Sequence, residues 1–352
     1  MSKIILVLAT VWLVYATVHE TLTGQIWFWV LPEMMPPIVF AAAPIILILA
    51  TLLMKRFRLW VVAFSITAFV ISMPSTGINF AAFTQHSPPS KISAQVHVVQ
   101  MNTDFWAQQR EGSLTDPRNK HAMLNFLRSL DADIYLLQEH MRPKGNQAIP
   151  LTDLSDVAEK FPEYQAITAG TLLTLTRLPV VDHTVVNPKN QYSLRLPPPP
   201  YALKVNVQVG DQILSTYNVY MPIQILLEKQ WLSSEFYDEI RTRYFVRKDE
   251  FHHITQDVAR NDLPLVIAGD FNTSPAMGDN RSLLNITTDA ASFSKALYPA
   301  TWRVGGQLPK LWRTDWLLIR NNVTVSQFQS LDPKGNSDHL VQSVTLSLYE
   351  KD

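Results

Sequence analysis

The chain has no cysteine. That excludes disulfides, thiolate nucleophiles and cysteine-ligated zinc or iron–sulfur centres. It also has no net charge, with 30 basic and 30 acidic residues, so it is not a strongly basic nucleic-acid coat protein. A nuclease remains open, because that activity needs only a local positive or metal-bearing groove. Charge of either sign is scarce, at 17% against 47% hydrophobic residues, which is too apolar for a disordered chain. No internal repeat or low-complexity tract is visible. The 352 residues allow roughly two domains of about 150 residues.

The shortage of charge is uneven. Residues 1–90 hold four basic side chains, Lys3, Lys55, Arg56 and Arg58, and two acidic ones, Glu20 and Glu33. That leaves 26 basic and 28 acidic residues for 91–352, the balance of an ordinary soluble domain large enough for a sizeable core. The first part carries three uncharged runs, 4–18, 34–54 and 59–83. A bilayer-spanning helix needs about 20 apolar residues, and the second and third runs reach that length. The first is shorter and reads as a retained helix, or as a signal peptide cut after Val14-Tyr15-Ala16. A buried helical core is the bland alternative; no polar stripe at helical spacing supports it. The third run weakens after Met73 and is expected to leave the hydrocarbon there. Lys55, Arg56 and Arg58 fill the loop between the second and third runs, whereas the loop 19–33 has no Lys or Arg. The positive-inside rule therefore places 55–58 in the cytoplasm and 91–352 outside it, in the periplasm of a Gram-negative cell. The expected organisation is an anchor of about three transmembrane helices over 1–85, a linker over 86–93 and a catalytic domain over 94–352.

Within that domain, 94–101, 133–138, 171–176, 264–268, 314–320 and 340–348 read as strands. The runs 201–209 and 212–220 flank Gly210-Asp211 and read as a hairpin, entered by the stiff tetraproline 197–200. An apolar helical face is predicted over 117–130, and 225–260 has helical composition. Strands and helices mix without regular βαβ alternation. The fold class is α+β, a layered sandwich rather than a doubly wound sheet.

One segment carries chemistry. Ala268-Gly269-Asp270-Phe271-Asn272 follows a buried apolar strand, and side chains two apart at a strand end point the same way. Asp270 could handle a water while Asn272 donates to the oxygen it attacks. Such a pair alone is usually a turn, but other strand ends add to it. Gln100-Met101-Asn102 ends the first strand, and Leu137-Gln138-Glu139 the second. Ser337-Asp338-His339 begins the last, and Arg313-Thr314-Asp315 the one before.

This ordered set resembles the endonuclease/exonuclease/phosphatase superfamily over about residues 94–348. The resemblance implies a four-layered α/β sandwich, two packed, mostly antiparallel sheets flanked by helices, with the site at one end. It implies Glu139 and Asn102 as metal-binding residues, with Asp338 near the metal. It makes Asp270 the residue that orients or deprotonates water, Asn272 a phosphate contact, and His339 the histidine held by Asp315. Tyr220 stands where many members carry histidine. A phenol can donate to a phosphate oxygen but cannot be a cation. Arg177 is expected to be structural. Asp104, Phe105 and Trp106 could line the groove, and Trp302, Trp312 and Trp316 could stack on substrate or pack in the core.

Mg²⁺ or Mn²⁺ suits such a donor set, since hard cations take oxygen ligands and keep several waters. The function expected is a membrane-anchored, divalent-metal-dependent phosphoesterase, nuclease-like, that hydrolyses a phosphodiester by metal-assisted water attack. Its expected partners are a phosphodiester substrate, nucleic acid or phospholipid, and the membrane, with no protein partner. The alternatives are a lipid or head-group phosphodiesterase or phosphatase, and a non-catalytic membrane binding module that retains the fold.

Overall fold

A computed structural model of the chain describes residues 1–84, 91–107, 117–144, 147–187, 200–226, 230–231, 233–303 and 309–349. The expected linker residues 86–90 and three of the four consecutive prolines lie outside the described residues.

The N-terminal part is helical: α1 (Ser2–Leu22), α2 (Val30–Glu33), α3 (Ile38–Ala50) and α4 (Arg58–Ile71). Ala9, Met54 and Val61 are buried where α1, α3 and α4 meet, with Ile5, Leu6, Leu47 and Phe64 packed around them. The outward faces are apolar as well; Val7, Val11, Ile46, Leu49, Ile66 and Val70 are all exposed. The three expected spans differ in length. Among the described residues, only α1, with 21 residues, is long and apolar enough to cross a membrane by itself. The second run is reached through a 60° bend between Trp27–Glu33 and Ile38–Leu53. The third gives a helix of 14 residues, which ends ahead of Pro74, a residue that cannot donate to a helix interior.

The rest begins with β1 (Ile92–Asn102), then the short turn α5 (Asp104–Ala107), α6 (Pro117–Ser129), β2 (Ile134–Gln138), β3 (Met141–Lys144), β4 (Gln147–Pro150) and α7 (Ser155–Lys160). It continues through β5 (Gln165–Ala169), β6 (Leu172–Thr176), β7 (Val180–Val185), β8 (Ala202–Val209) and β9 (Gln212–Tyr220). Next come α8 (Ser234–Arg260), β10 (Leu265–Asp270), α9 (Arg281–Leu284), β11 (Thr288–Asp289), β12 (Asp315–Arg320), β13 (Val323–Leu331) and β14 (Val341–Tyr349). The helix read over 225–260 thus starts at Ser234, capped by the Ser233 side chain, which accepts from Phe236 N. A further strand, β13, stands between the two strands expected to be last.

Two six-stranded sheets form, in the orders β13-β14-β1-β2-β6-β5 and β11-β12-β10-β9-β8-β7. Each has one parallel pair at its centre, β1 with β2 and β9 with β10, and is otherwise antiparallel. Strand alternation sorts the side chains into layers. Val96, Val98, Ile134, Leu136, Val266, Ala268, Leu317 and Ile319 fill the core between the sheets. Val99, Met101, Tyr135 and Leu137 point the other way, onto Met123, Leu124 and Leu127 of α6. Leu265, Ile267 and Leu318 pack on Val246, Phe251, Ile254 and Val258 of α8. Helices, two sheets and helices make the four expected layers, and each fully buried aliphatic side chain stabilises them by about 1.5–3 kcal/mol.

The same alternation carries chemistry into the inter-sheet layer. Continuing from Val96 and Val98, β1 brings Gln100 and Asn102 to the inner face, and β10 continues from Val266 and Ala268 to Asp270. Gly269 sits where two backbones nearly touch. Its φ is +154°, and a β-carbon there would lie 1.8 Å from the Val219 carbonyl oxygen. Gly269→Ala is therefore expected to lower the unfolding free energy by about 3 kcal/mol, read as the denaturation midpoint of the full-length chain. A midpoint equal to that of the parent would contradict this close approach.

Candidate active site

The site residues stand at one end of both sheets. Tyr220 pairs with Asp270 across β9 and β10, and Asp270 pairs with Asp315 across β10 and β12. These three side chains therefore share one register row and one face. Asn102 faces them from the other sheet and donates through Nδ2 to Asp270 Oδ2 at 2.9 Å. Ser337 Oγ donates to the Asn102 carbonyl at 2.8 Å and accepts from His339 N at 3.1 Å, which sets the loop ahead of β14 against the end of β1. His339 Nδ1 lies 2.8 Å from Asp315 Oδ2, and its Nε2 lies 3.9 Å from Asp270 Oδ2 and 3.7 Å from Asp338 Oδ1. Tyr220 OH donates to Glu139 Oε1 at 2.7 Å. Asn272 donates through its backbone N–H to Asp270 Oδ1 at 2.9 Å and through Nδ2 to Met221 O at 2.8 Å. Asp338 lies at the rim, 40% exposed, and accepts from Trp302 Nε1 at 2.8 Å.

All eight residues singled out in the sequence thus meet at one end of the sandwich. Two hold strained backbone there: Glu139 has φ +55° and Asn272 φ +46°, conformations that non-glycine residues keep only when their surroundings fix them.

The electrostatics follow from burial. Burial pushes the Glu139 carboxyl up despite the bonds from Tyr220 and Asn102. It pushes Asp270 up to about 7, against the pull of His339. Burial alone would lower His339, but the carboxylates of Asp315, Asp270 and Asp338 outweigh it and hold the imidazole well above its usual value. Asp315 is kept below the usual carboxylate range, its burial outweighed by the His339 charge. The Tyr220 phenol is raised by burial and by Glu139, so it stays a neutral donor.

Four carboxylates around a single imidazolium leave the pocket short of positive charge. Asp270, Asp315 and His339 place possible ligand atoms within 4.8 Å of one another. Yet His339 Nδ1 and Asp315 Oδ2 are already spent on each other, and a protonated imidazole cannot ligate. Further oxygen donors stand on Glu139, which accepts from Tyr220, on Asn102, whose Oδ1 accepts from Asp104 N at 2.9 Å, and on Asp338, which accepts from Trp302. Such an all-oxygen set on a net negative pocket fits a hard divalent cation.

Several residues were not assigned from the sequence. Gln100 Nε2 donates to Gln138 Oε1 at 2.9 Å and to Asp315 Oδ1 at 3.0 Å. Gln138 Nε2 donates to Asn218 Oδ1 at 2.7 Å, and Asn218 Nδ2 donates to the carbonyls of Leu137 and Leu173. This buried amide chain ties the two sheets together beneath Asp315. Arg247 of α8, itself buried, donates to the Pro222, Phe271 and Thr273 oxygens and to Asp279. It thereby clamps the loops that follow Tyr220 and Asp270. The alternating polar positions Gln100 and Asn102 signalled the first network; nothing local to α8 signalled Arg247.

Some expectations shift. Trp106 does not line a groove but is buried, edge-on to His140. Trp316 is core, donating to Thr273 O. Trp312 donates to Met34 O of the N-terminal part. Arg177 pairs with Asp131 and Asp133, away from the site. A cavity of about 560 Å³, lined by Met73, Phe80, Arg313 and Trp316 among others, contains none of the eight residues.

The sequence profile described as the Endonuclease/Exonuclease/phosphatase family matches residues 99–339. No protein of curated function matches the chain. Among solved structures, an endonuclease/exonuclease/phosphatase from Bacteroides vulgatus is 15% identical with a TM-score of 0.52, covering 73% of this chain and 100% of its own. A family protein from Bacteroides thetaiotaomicron is 13% identical with a TM-score of 0.50, covering 73% and 99%. The catalytic domain of human Nocturnin, solved with a bound sulfate anion, is 15% identical with a TM-score of 0.50, covering 73% and 96%. At these identities the likeness is one of fold.

The charge balance makes a testable statement about His339. Because its folded value is raised, the imidazolium persists as pH climbs through the ordinary histidine range. In Asp315→Asn one of the three carboxylates that raise His339 is gone while burial still acts, so the proton leaves at lower pH. Side-chain nitrogen NMR of the full-length chain is expected to show His339 titrating lower in Asp315→Asn, by about one pH unit or more. An unchanged titration would remove Asp315 as the group that holds the charge.

Proposed function

The chain belongs to the endonuclease/exonuclease/phosphatase family, whose members are phosphoester hydrolases, and on that premise we propose that it is a divalent-metal-dependent phosphoesterase carried on a membrane anchor. The observation that carries this reading is the meeting of Asn102, Glu139, Asp270, Asp315 and His339 in one negatively unbalanced pocket.

The reaction is hydrolysis of a phosphodiester by water. The water oxygen bonds to phosphorus, the bond from phosphorus to the leaving oxygen breaks with its electron pair, and that oxygen takes a proton. Asp270, raised toward neutrality by burial, suits the base that accepts the water proton, since a base works best near the operating pH. His339, kept cationic by Asp315, donates toward a phosphoryl oxygen as negative charge grows there. Asp315 fixes the ring orientation through Nδ1. The second Asn272 amide hydrogen is directed to a phosphate oxygen. Glu139, held by Tyr220, would bind the metal together with Asn102 and Asp338. A divalent cation bound there supplies neutralisation of the charge on the phosphoryl oxygens.

The membrane reading rests on the N-terminal helices. Lys3 lies two residues before Ile5, Lys55, Arg56 and Arg58 follow Met54, and Ile5, Ala9 and Met54 belong to one packed cluster. Glu20 and Glu33 stand instead where residues 19–34 and 79 bond to the sandwich. That polarity favours a cytoplasmic basic end and an extracytoplasmic catalytic unit over 94–352.

The purified full-length chain with Mg²⁺ or Mn²⁺ is expected to hydrolyse bis-p-nitrophenyl phosphate. Chelation by EDTA should abolish the activity, and Glu139→Ala and His339→Ala should each lower kcat/KM by at least about a hundredfold. Activity indifferent to EDTA, or to both substitutions, would overturn the proposal. A periplasmic reporter fused after Asp352 should be active, and a cytoplasmic one silent; the reverse would overturn the orientation.

A further inference from the structure

The catalytic end and the anchor lie at the same end of the sandwich. Asn102, Glu139, Tyr220 and Asp270 stand at the C-terminal ends of β1, β2, β9 and β10, and the loops leaving those ends receive the N-terminal part. His19 Nε2 lies 2.9 Å from Ala276 O, six residues beyond Asp270, and Thr23 Oγ1 donates to the same oxygen at 3.1 Å. Trp312, three residues before Asp315, donates to Met34 O at 3.0 Å. Tyr244 OH donates to Gly24 O at 3.1 Å, and Asn79 Nδ2 to Ala291 O at 2.8 Å. The contact is close backbone to backbone. Gly24 has φ +69°, and a β-carbon there would lie 2.3 Å from the Gly278 carbonyl carbon. A sandwich fastened at so many points cannot swing freely on a linker, so the end that carries the chemistry is held toward the surface in which the anchor sits.

The rim of that end is dressed for such a surface. The N-terminal half of α8 runs past the sheet and packs its inner face, Phe236, Ile240 and Tyr244, on Val30, Trp27 and Met34. Its outer face leaves Tyr237, Arg241 and Phe245 exposed at four-residue spacing, with Glu235, Asp238, Thr242 and Lys248 exposed beside them. Trp231 just ahead is 69% exposed, and Phe28 and Leu31 of the N-terminal part are exposed beside that packing. Aromatic side chains mixed with a cation on one helix face suit the bilayer interface, where apolar bodies sink and the charge meets anionic headgroups. A nucleic acid asks for the opposite, a basic stripe, and residues 91–352 carry 26 basic against 28 acidic side chains.

We propose that the substrate is a phosphoester headgroup of a lipid in the membrane that holds the anchor, reached by a rim formed from Phe28, Leu31, Trp231, Tyr237 and Phe245. This rests on the phosphoesterase reading and adds its substrate class. Water attacks the headgroup phosphorus, the bond to one ester oxygen breaks, and that oxygen leaves protonated as an alcohol, so a phosphomonoester and a hydroxyl compound are the products of a diester.

The test uses the full-length chain reconstituted with Mg²⁺ in vesicles of a total bacterial lipid extract. Phosphorylated headgroup and lipid products are followed by mass spectrometry. Hydrolysis of bis-p-nitrophenyl phosphate, water-soluble short-chain phospholipids, DNA and RNA is measured in parallel. Vesicle lipid is expected to be cleaved, and Trp231→Ser with Phe245→Ser to lower that rate about tenfold more than the rate on bis-p-nitrophenyl phosphate. Cleavage of bis-p-nitrophenyl phosphate with vesicle lipid untouched would overturn the substrate class. So would faster turnover of short-chain lipid, DNA or RNA, or equal losses on both substrates. No hydrolysis of any phosphoester would instead overturn the phosphoesterase reading beneath it.

Discussion

The bond between Asp315 and His339, 2.8 Å long and buried, is the interaction on which the site depends. An isolated imidazolium in an apolar layer would lose its proton, and isolated carboxylates there would take one up. Placed together they keep each other ionised, and the remaining carboxylates of Glu139, Asp270 and Asp338 gather around one cation. Gln100, tied through Gln138 to Asn218, donates to the other Asp315 oxygen, so neither oxygen of that carboxylate is left without a hydrogen bond. Charge of this kind is stable only because two sheets close over it. The site is therefore a consequence of the packing, made where an apolar inter-sheet layer changes to polar residues at its end.

Much of this was legible from strand periodicity. Residues two apart share a face, which brought Asn102 onto the row of Gln100 and put Asp270 in line with Ala268. The hairpin turn at Gly210-Asp211 and the buried runs before Glu139 and Asp270 read directly. What escaped detection was mostly what joins one strand to another. Nothing in Gln138 or Asn218 alone says that they meet across the sheets. The strands β5, β7 and β13 are sheet edges, the first two without a buried residue and the third buried only at its start, so their alternation was too weak to mark them. The Tyr220 phenol was expected beside the phosphate, where many relatives carry histidine. In the folded chain it bonds Glu139, a contact from the end of β9 to the end of β2 in the other sheet, which periodicity along a single strand does not reveal. Trp106 looked like groove lining because of its place after Asn102, but the turn at Asp104–Ala107 sends it into the core.

The N-terminal helices show the same division. Their apolar runs and the placing of Lys3, Lys55, Arg56 and Arg58 were evident from the sequence. Their docking onto the loops after Asp270 and before Asp315 was not, because it depends on side chains such as Tyr244 and Trp312 that lie more than two hundred residues away in the chain. That docking joins the two parts of the molecule at the end that carries the chemistry. Arg247 reinforces it from within, fixing the loops of Pro222 and Thr273 to Asp279, next to the Gly278 that meets Gly24.

In the proposed mechanism the pocket divides its labour, with Asp315 and His339 reserved for the proton and Glu139 for the cation. Anomalous scattering from crystals of the full-length chain grown with Mn²⁺ tests it most directly. A manganese peak is expected against the Glu139 carboxylate, with His339 still bonded to Asp315. A peak bridging Asp315 and His339, or no peak in the pocket at saturating Mn²⁺, would contradict it.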